Sequence, residues 1–107
     1  MTFYETIQSI NIPSVYGTYQ ENKAVPYISY NGYGQDIFWA DNGAYHRVNL
    51  YQLVYYFKLK NETVEDQIEE ALLNAGFVYQ KGQDLYDSQE KVYYIVYTDI
   101  KSLKGGR

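Results

Sequence analysis

The chain has 107 residues, a net charge of -4 and a single histidine, a length that supports one hydrophobic core of ordinary size and not two. It contains no cysteine, which excludes disulfides, thiolate nucleophiles and Cys-ligated zinc or iron–sulfur centres. A stable cysteine-free domain of this size suits a reducing compartment.

Residues 2–10 predict a first helix. Thr2 and Glu5 fit a capping box, and Phe3, Ile7 and Ile10 recur at helical spacing until Pro13 ends the pattern. The period then becomes strand-like. Short strands are expected over residues 15–19, over 26–30 with Pro26 at the mouth, and over 37–39. Asn31-Gly32 with Gly34, and then Asn42-Gly43, are expected to form turns between them. Residues 45–59 form the longest extended segment, long enough to predict a bend or bulge near Asn49.

A second helix follows, with Thr63 and Asp66 as its predicted capping box. Val64, Ile68, Ala71, Leu72 and Ala75 make its apolar stripe, and Gly76 suits the left-handed position after the last turn. Its acidic run, Glu62, Glu65, Asp66, Glu69 and Glu70, reads as a solvated face. Two more strands are expected over 77–81 and 91–100, with Leu85-Tyr86 extending the first of them.

This order predicts an α+β fold: a mainly antiparallel sheet with two helices packed on one face. Residues 1–100 are expected to form one domain and 101–107 a flexible tail, given Gly105-Gly106 near its end. In 48–59 and 91–100 both strand parities are apolar or aromatic, the pattern of strands covered on both sides. Two helices cover one face, so a curled sheet, a long loop or a partner chain must cover part of the other.

The acidic balance argues against sequence-specific nucleic acid as a partner, because phosphate neutralisation needs clustered Lys and Arg. Lys101, Lys104 and Arg107 are the nearest approach to such a cluster. No basic leader precedes an apolar run, and no run approaches the roughly 20 residues that span a bilayer, so a soluble chain without a membrane partner is expected. The 15 tyrosines suit a half-buried sheet or an interface, where the ring packs and the hydroxyl stays wet.

No reactive constellation is legible, and neither catalysis nor a bound cofactor is expected. His46 beside Arg47 reads as a structural hydrogen-bonding residue, and no serine sits in a nucleophile-elbow pattern. Asp36, Asp41 and Asp84 lack calcium-loop spacing, so no metal site is expected. Gly32 and Gly34 form a bare Gly-x-Gly without a βαβ unit around it.

The order of features resembles a family of small structural proteins from long-tailed phages and prophages of Gram-positive bacteria, described as tail-completion, tail-terminator-like or minor tail proteins. The likeness runs from Met1 to about Ile100. Its carriers are Pro13 with Tyr16-Gly17, Pro26-Tyr27-Ile28, Trp39-Ala40-Asp41-Asn42 with Tyr45-His46, Ile68-Glu69 with Leu72, Ala75-Gly76, Tyr79, Lys81, and the strand from Tyr93 to Tyr97. All are turn, cap and core positions. The resemblance implies a virion component, made in the host cytoplasm, that forms a ring, often sixfold, where the tail tube meets the head connector. It implies self-association and contact with tail-tube and neck proteins, without cofactor or catalysis. A small tyrosine-rich module that binds carbohydrate or peptide is the alternative.

Five residues are the candidate protein interface. Tyr51, Tyr55, Tyr93 and Tyr97 come from the two doubly apolar strands, and Leu73 lies opposite Val64 on the second helix among its acidic residues.

Overall fold

The structure is a computed structural model; it describes residues 2–17, 25–39 and 45–102, with backbone only at 38, 39, 45 and 46. Helix α1 spans Phe3–Ser9 and begins with the expected capping box. The Thr2 hydroxyl accepts the Glu5 N–H at 3.1 Å, and the Glu5 carboxylate accepts the Thr2 N–H at 2.8 Å. Phe3 and Ile7 point from α1 into the core.

Strand β1, Ser14–Tyr16, is shorter than predicted; Thr18 and Tyr19 lie outside the described residues. It pairs in parallel with β2, Tyr27–Trp39, from Ser14↔Ile28 to Tyr16↔Tyr30. The turn expected at Asn31-Gly32 and Gly34 does not form. Instead β2 continues for 13 residues, and the two glycines flank a bulge opposite Tyr51 and Leu50 of β3, Tyr45–Phe57. Gly34 sits at φ 146°, and a residue without a Cβ lets the strand kink there without turning back. The bulge predicted near Asn49 of the long segment does not form in β3: the extra residues lie in its neighbours, Tyr33 of β2 and the Thr98–Asp99 pair of β6. The predicted Asn42-Gly43 turn lies outside the described residues.

Helix α2, Glu62–Asn74, is capped by Asn61 and not by Thr63. The Asn61 side-chain oxygen accepts the N–H groups of Thr63 and Val64 at 3.1 and 3.4 Å. Asparagine is among the best N-caps, so the helix starts ahead of the predicted box. Gly76, at φ 88°, takes the left-handed position that ends the helix. Strand β4, Phe77–Lys81, then pairs with β6, Val92–Ser102. Leu85 and Tyr86 do not extend β4: they begin β5, Leu85–Asp87, which pairs with the first residues of β6. Gly82 makes the break, its N–H donating to the Val96 carbonyl at 2.9 Å. Lys101 and Ser102 belong to β6, so the sheet outlasts the predicted boundary at residue 100.

The sheet order is β1-β2-β3-β6-β4 with β5 also beside β6, antiparallel throughout except for β1. Both helices lie on one face, as predicted. There Ile7, Ile28, Leu53, Ile68, Leu72 and Ile95 are fully buried. On the other face Tyr27, Val54, Tyr56 and Val92 form a smaller buried cluster, with Tyr27 stacked on Tyr56 at 4.6 Å. The chain itself buries these four, and a partner is not needed to cover them.

Candidate functional site

The fold separates the five residues chosen from sequence. Tyr55 and Tyr97 are 1% and 0% exposed, deep on the helix-covered face. Tyr51 is half-buried and stacks on Phe3 at 4.3 Å. All three serve the core of this chain and are withdrawn as interface anchors. Leu73 and Tyr93 remain exposed, at 52% and 42%. They lie toward opposite ends of the body: Tyr93 opens β6, whereas Leu73 precedes the Gly76 turn into Phe77, which pairs with Ser102 at the end of β6.

Tyr93 anchors an exposed apolar surface that the sequence did not single out. Its ring stacks on Phe57 at 5.8 Å and meets Tyr86 at 4.8 Å. Leu85 pairs with Tyr94 and so lies on the other face of the sheet from Tyr86, while among the described residues Leu59, 84% exposed, is the most open large apolar side chain. A groove of about 290 Å3 adjoins it, lined by Val25, Pro26, Tyr55, Phe57, Lys58, Leu59, Asn61 and Val64. Proximity in sequence to Phe57 and to the α2 cap was the available signal for Leu59. Its outward position depends on where β3 stops.

At the other end of the hairpin, β2 and β3 run beyond the sheet. β3 pairs with β6 only from Tyr51 to Phe57, yet with β2 as far as Trp39↔Tyr45. Among the described residues, 34–39 and 45–50 therefore form a two-stranded ribbon without a further strand. Ile37 on this ribbon is 64% exposed. The ribbon root is held by Tyr33, whose hydroxyl donates to the Asp99 carboxylate at 2.6 Å and accepts the Asp99 N–H at 2.9 Å.

A charged network joins α2 to the sheet, and it corrects the reading of the acidic run as wholly solvated. The Glu65 side chain is 2% exposed and lies 2.8 Å from Lys60 and 3.0 Å from Lys81. The Lys60 approach is a charge contact with poor hydrogen-bond alignment. Lys81 also reaches Glu69 at 2.8 Å, and Lys60 reaches Asp84 at 3.0 Å. Glu69 accepts hydrogen bonds from Tyr97 and Tyr79 at 2.8 and 3.3 Å.

The electrostatics follow from these contacts. Burial raises the Tyr97 phenol, and its bond to the Glu69 carboxylate raises it further. Partial burial pushes Glu69 up, but the bonds from Lys81 and Tyr97 outweigh it and hold the carboxyl below its usual range. Desolvation lowers Lys81, and its bonds to Glu69 and Glu65 more than reverse that. The adjacent Glu65 carboxylate likewise raises Lys60. A lysine base or nucleophile needs the opposite shift. The arrangement does mechanical work, clamping α2 to β4 and β6.

Among the described residues no three His, Cys, Asp or Glu side chains are placed to hold a metal ion. His46 lies opposite Phe38 on β3, its side chain outside the described set. No helix among the described residues is long and apolar enough to cross a membrane. Neither a protein-family profile nor a curated protein sequence matches this chain.

Proposed function

We propose that this chain is an assembly component of a long-tailed phage virion, of the tail-completion or tail-terminator kind. It acts at the head–tail junction by binding further copies of itself and neighbouring tail-tube and neck proteins, with no chemical step. The observation that carries the assembly reading is the exposed aromatic pair of Tyr86 and Tyr93, 53% and 42% exposed with ring centres 4.8 Å apart, near an apolar groove that shares Phe57 with it. Tyrosine is a preferred interface anchor because a large rigid ring is buried at little rotamer cost. The virion setting rests on the resemblance in the order of turn, cap and core residues.

Two measurements test this. Sedimentation velocity of the purified chain should reveal a discrete oligomer, or one that forms when tail-tube protein is added. Disruption of its gene in a phage that carries it should leave heads and tails unjoined. Normal virions from that strain would defeat the reading.

A tyrosine-lined carbohydrate module is the second reading, favoured by Tyr4 and Tyr16, which are 58% and 72% exposed and both set edge-on to Tyr30. Saturable glycan binding by the monomer, lost in Tyr16→Ser, would support it instead.

A further inference from the structure

We infer that two copies of this chain pair face to face, the β2–β3 ribbon of each lying across the outer face of α2 of the other, with Ile37 on Leu73 and Arg47 on Glu70. This rests on the assembly reading above and names the surfaces through which copies would meet.

The ribbon contributes an apolar group and a cation. Ile37 and Arg47 are cross-strand partners, so their side chains leave the same face of the ribbon about 5 Å apart. Ile37 is 64% exposed; Arg47 is exposed too and makes no ion pair among the described residues. Asp36, the neighbour of Ile37 along the strand, belongs to the opposite face, where Lys101 reaches it at 3.9 Å.

The outer face of α2 contributes the complement. Glu62, Asp66, Glu70 and Leu73 fall within about 80° of one another around the helix, opposite the buried Ile68 and Leu72. All four are exposed, and the three carboxylates make no ion pair among the described residues. Glu70 and Leu73, three residues apart, stand about 5–6 Å from each other, which matches the spacing of Arg47 and Ile37. With Ile37 on Leu73, Arg47 reaches Glu70.

Charge commits these surfaces to each other. Two copies joined α2 to α2 would oppose carboxylate rows, and two joined ribbon to ribbon would oppose their Arg47 side chains. Only the crossed contact joins opposite charges. Lys58 and Lys91 also lack an ion pair among the described residues, but neither stands in a strand beside an exposed apolar side chain.

The contact is not made within one chain, since Ile37 and Leu73 both stay open. Arg47 shares its strand parity with Tyr51 and Leu53, which face the helices, so the ribbon pair and the outer face of α2 look out from the same side of the sheet. A second copy that meets them is turned over, and one twofold axis then makes the contact twice.

Sedimentation velocity of the full chain should show a dimer or an assembly of dimers. Ile37→Asp and Leu73→Asp both alter largely exposed side chains, so the fold should survive, as circular dichroism will check. Each variant alone should associate at least roughly thirtyfold more weakly than the parent. Mixed, they should form a heterodimer, since one intact ribbon still meets one intact helix face. Arg47→Glu and Glu70→Arg should each weaken association roughly fivefold, and the double variant should regain it. Lys58→Glu should leave it within about twofold of the parent.

If the parent associates and both aspartate variants associate as tightly, this interface is wrong and the assembly reading stands. If the variants fail alone and also fail when mixed, or if the double charge variant stays weak, the ribbon does not meet α2. If Lys58→Glu weakens association as much as Arg47→Glu, the charge match is wrongly assigned. If the parent stays monomeric at the highest attainable concentration, with and without tail-tube protein, both readings fall.

Discussion

Replacing Glu65 by glutamine probes the feature of this fold that sequence patterning misrepresents. The change preserves volume but removes the charge that Lys60 and Lys81 share at 2.8 and 3.0 Å. Hydrogen bonds to a charged group contribute about 1.5–3 kcal/mol each, and breaking a fully buried ion pair costs about 3–5 kcal/mol. The lysine side chains are 42% and 37% exposed and keep Asp84 and Glu69 as partners, so the upper figures do not apply. An expected loss of about 2 kcal/mol remains, or roughly 8 °C in Tm for a domain of this size.

Urea unfolding at constant m-value measures it, with Glu70→Gln on the exposed side of α2 as the control, expected within about 0.5 kcal/mol of the parent. Pairing Glu65→Gln with Lys81→Met should reveal a coupling of about 1 kcal/mol, since the two residues are in contact. A loss for Glu65→Gln no larger than the control would mean that the carboxylate is solvated and the clamp absent.

Ile68 is fully buried under α2, and Ile68→Ala should cost about 2–5 kcal/mol by the same assay; a loss below about 0.5 kcal/mol would show the stripe misplaced. Stability should be flat from about pH 5 to about pH 9 and fall on both sides. Glu69, held low in the fold, supplies stability that is present above its unfolded pKa of 4.5 and lost as acid protonates it. Tyr97 and Lys81, held high, supply stability present below their unfolded values of 10.0 and 10.5 and lost in alkali. Tyr97→Phe should flatten the alkaline limb, and an unchanged limb would refute the assignment. Gly82→Ala should cost about 1–3 kcal/mol, because the new methyl would stand 2.9 Å from the Val96 carbonyl oxygen; a neutral outcome would mean that β6 yields easily there. Lys91 holds φ 58°, so Lys91→Gly should gain up to about 1 kcal/mol, and a loss would show that its side chain contributes more than its backbone costs.

What was legible in the sequence was local. The Thr2 capping box, the Ile68 and Leu72 stripe and the Gly76 helix end depend on neighbours within one or two turns, and all are present. Sequence errors arose where two local solutions compete. Asn61 outcompeted Thr63 as cap, and the glycines at 32 and 34 made a bulge where a turn satisfies the same pattern. The fate of Glu65 was not legible. It is buried because Lys60 and Lys81 converge on it, and Lys81 is 16 residues away on β4. The tyrosines failed for a related reason. Tyr93 and Tyr97 share a parity on β6, yet α2 covers only the second, and the edge of a helix leaves no mark on strand alternation.

The ribbon draws these threads together. A two-stranded hairpin by itself is at best marginal in water, so residues 34–39 and 45–50 depend on what anchors their root. That root is strained and strapped. The strap bridges β2 and β6 across β3: Tyr33 stands in the β2 bulge, and Asp99 takes a left-handed φ of 51° in β6. Their paired hydrogen bonds fix the direction in which the ribbon leaves the body. Burial raises the Tyr33 phenol and the Asp99 carboxylate adds to the shift, so the hydroxyl stays protonated and the strap closed at neutral pH. A ribbon held in one direction has already lost freedom that any binding event along it would otherwise have to remove. The bulge residue and the left-handed aspartate thus belong with the ribbon they orient.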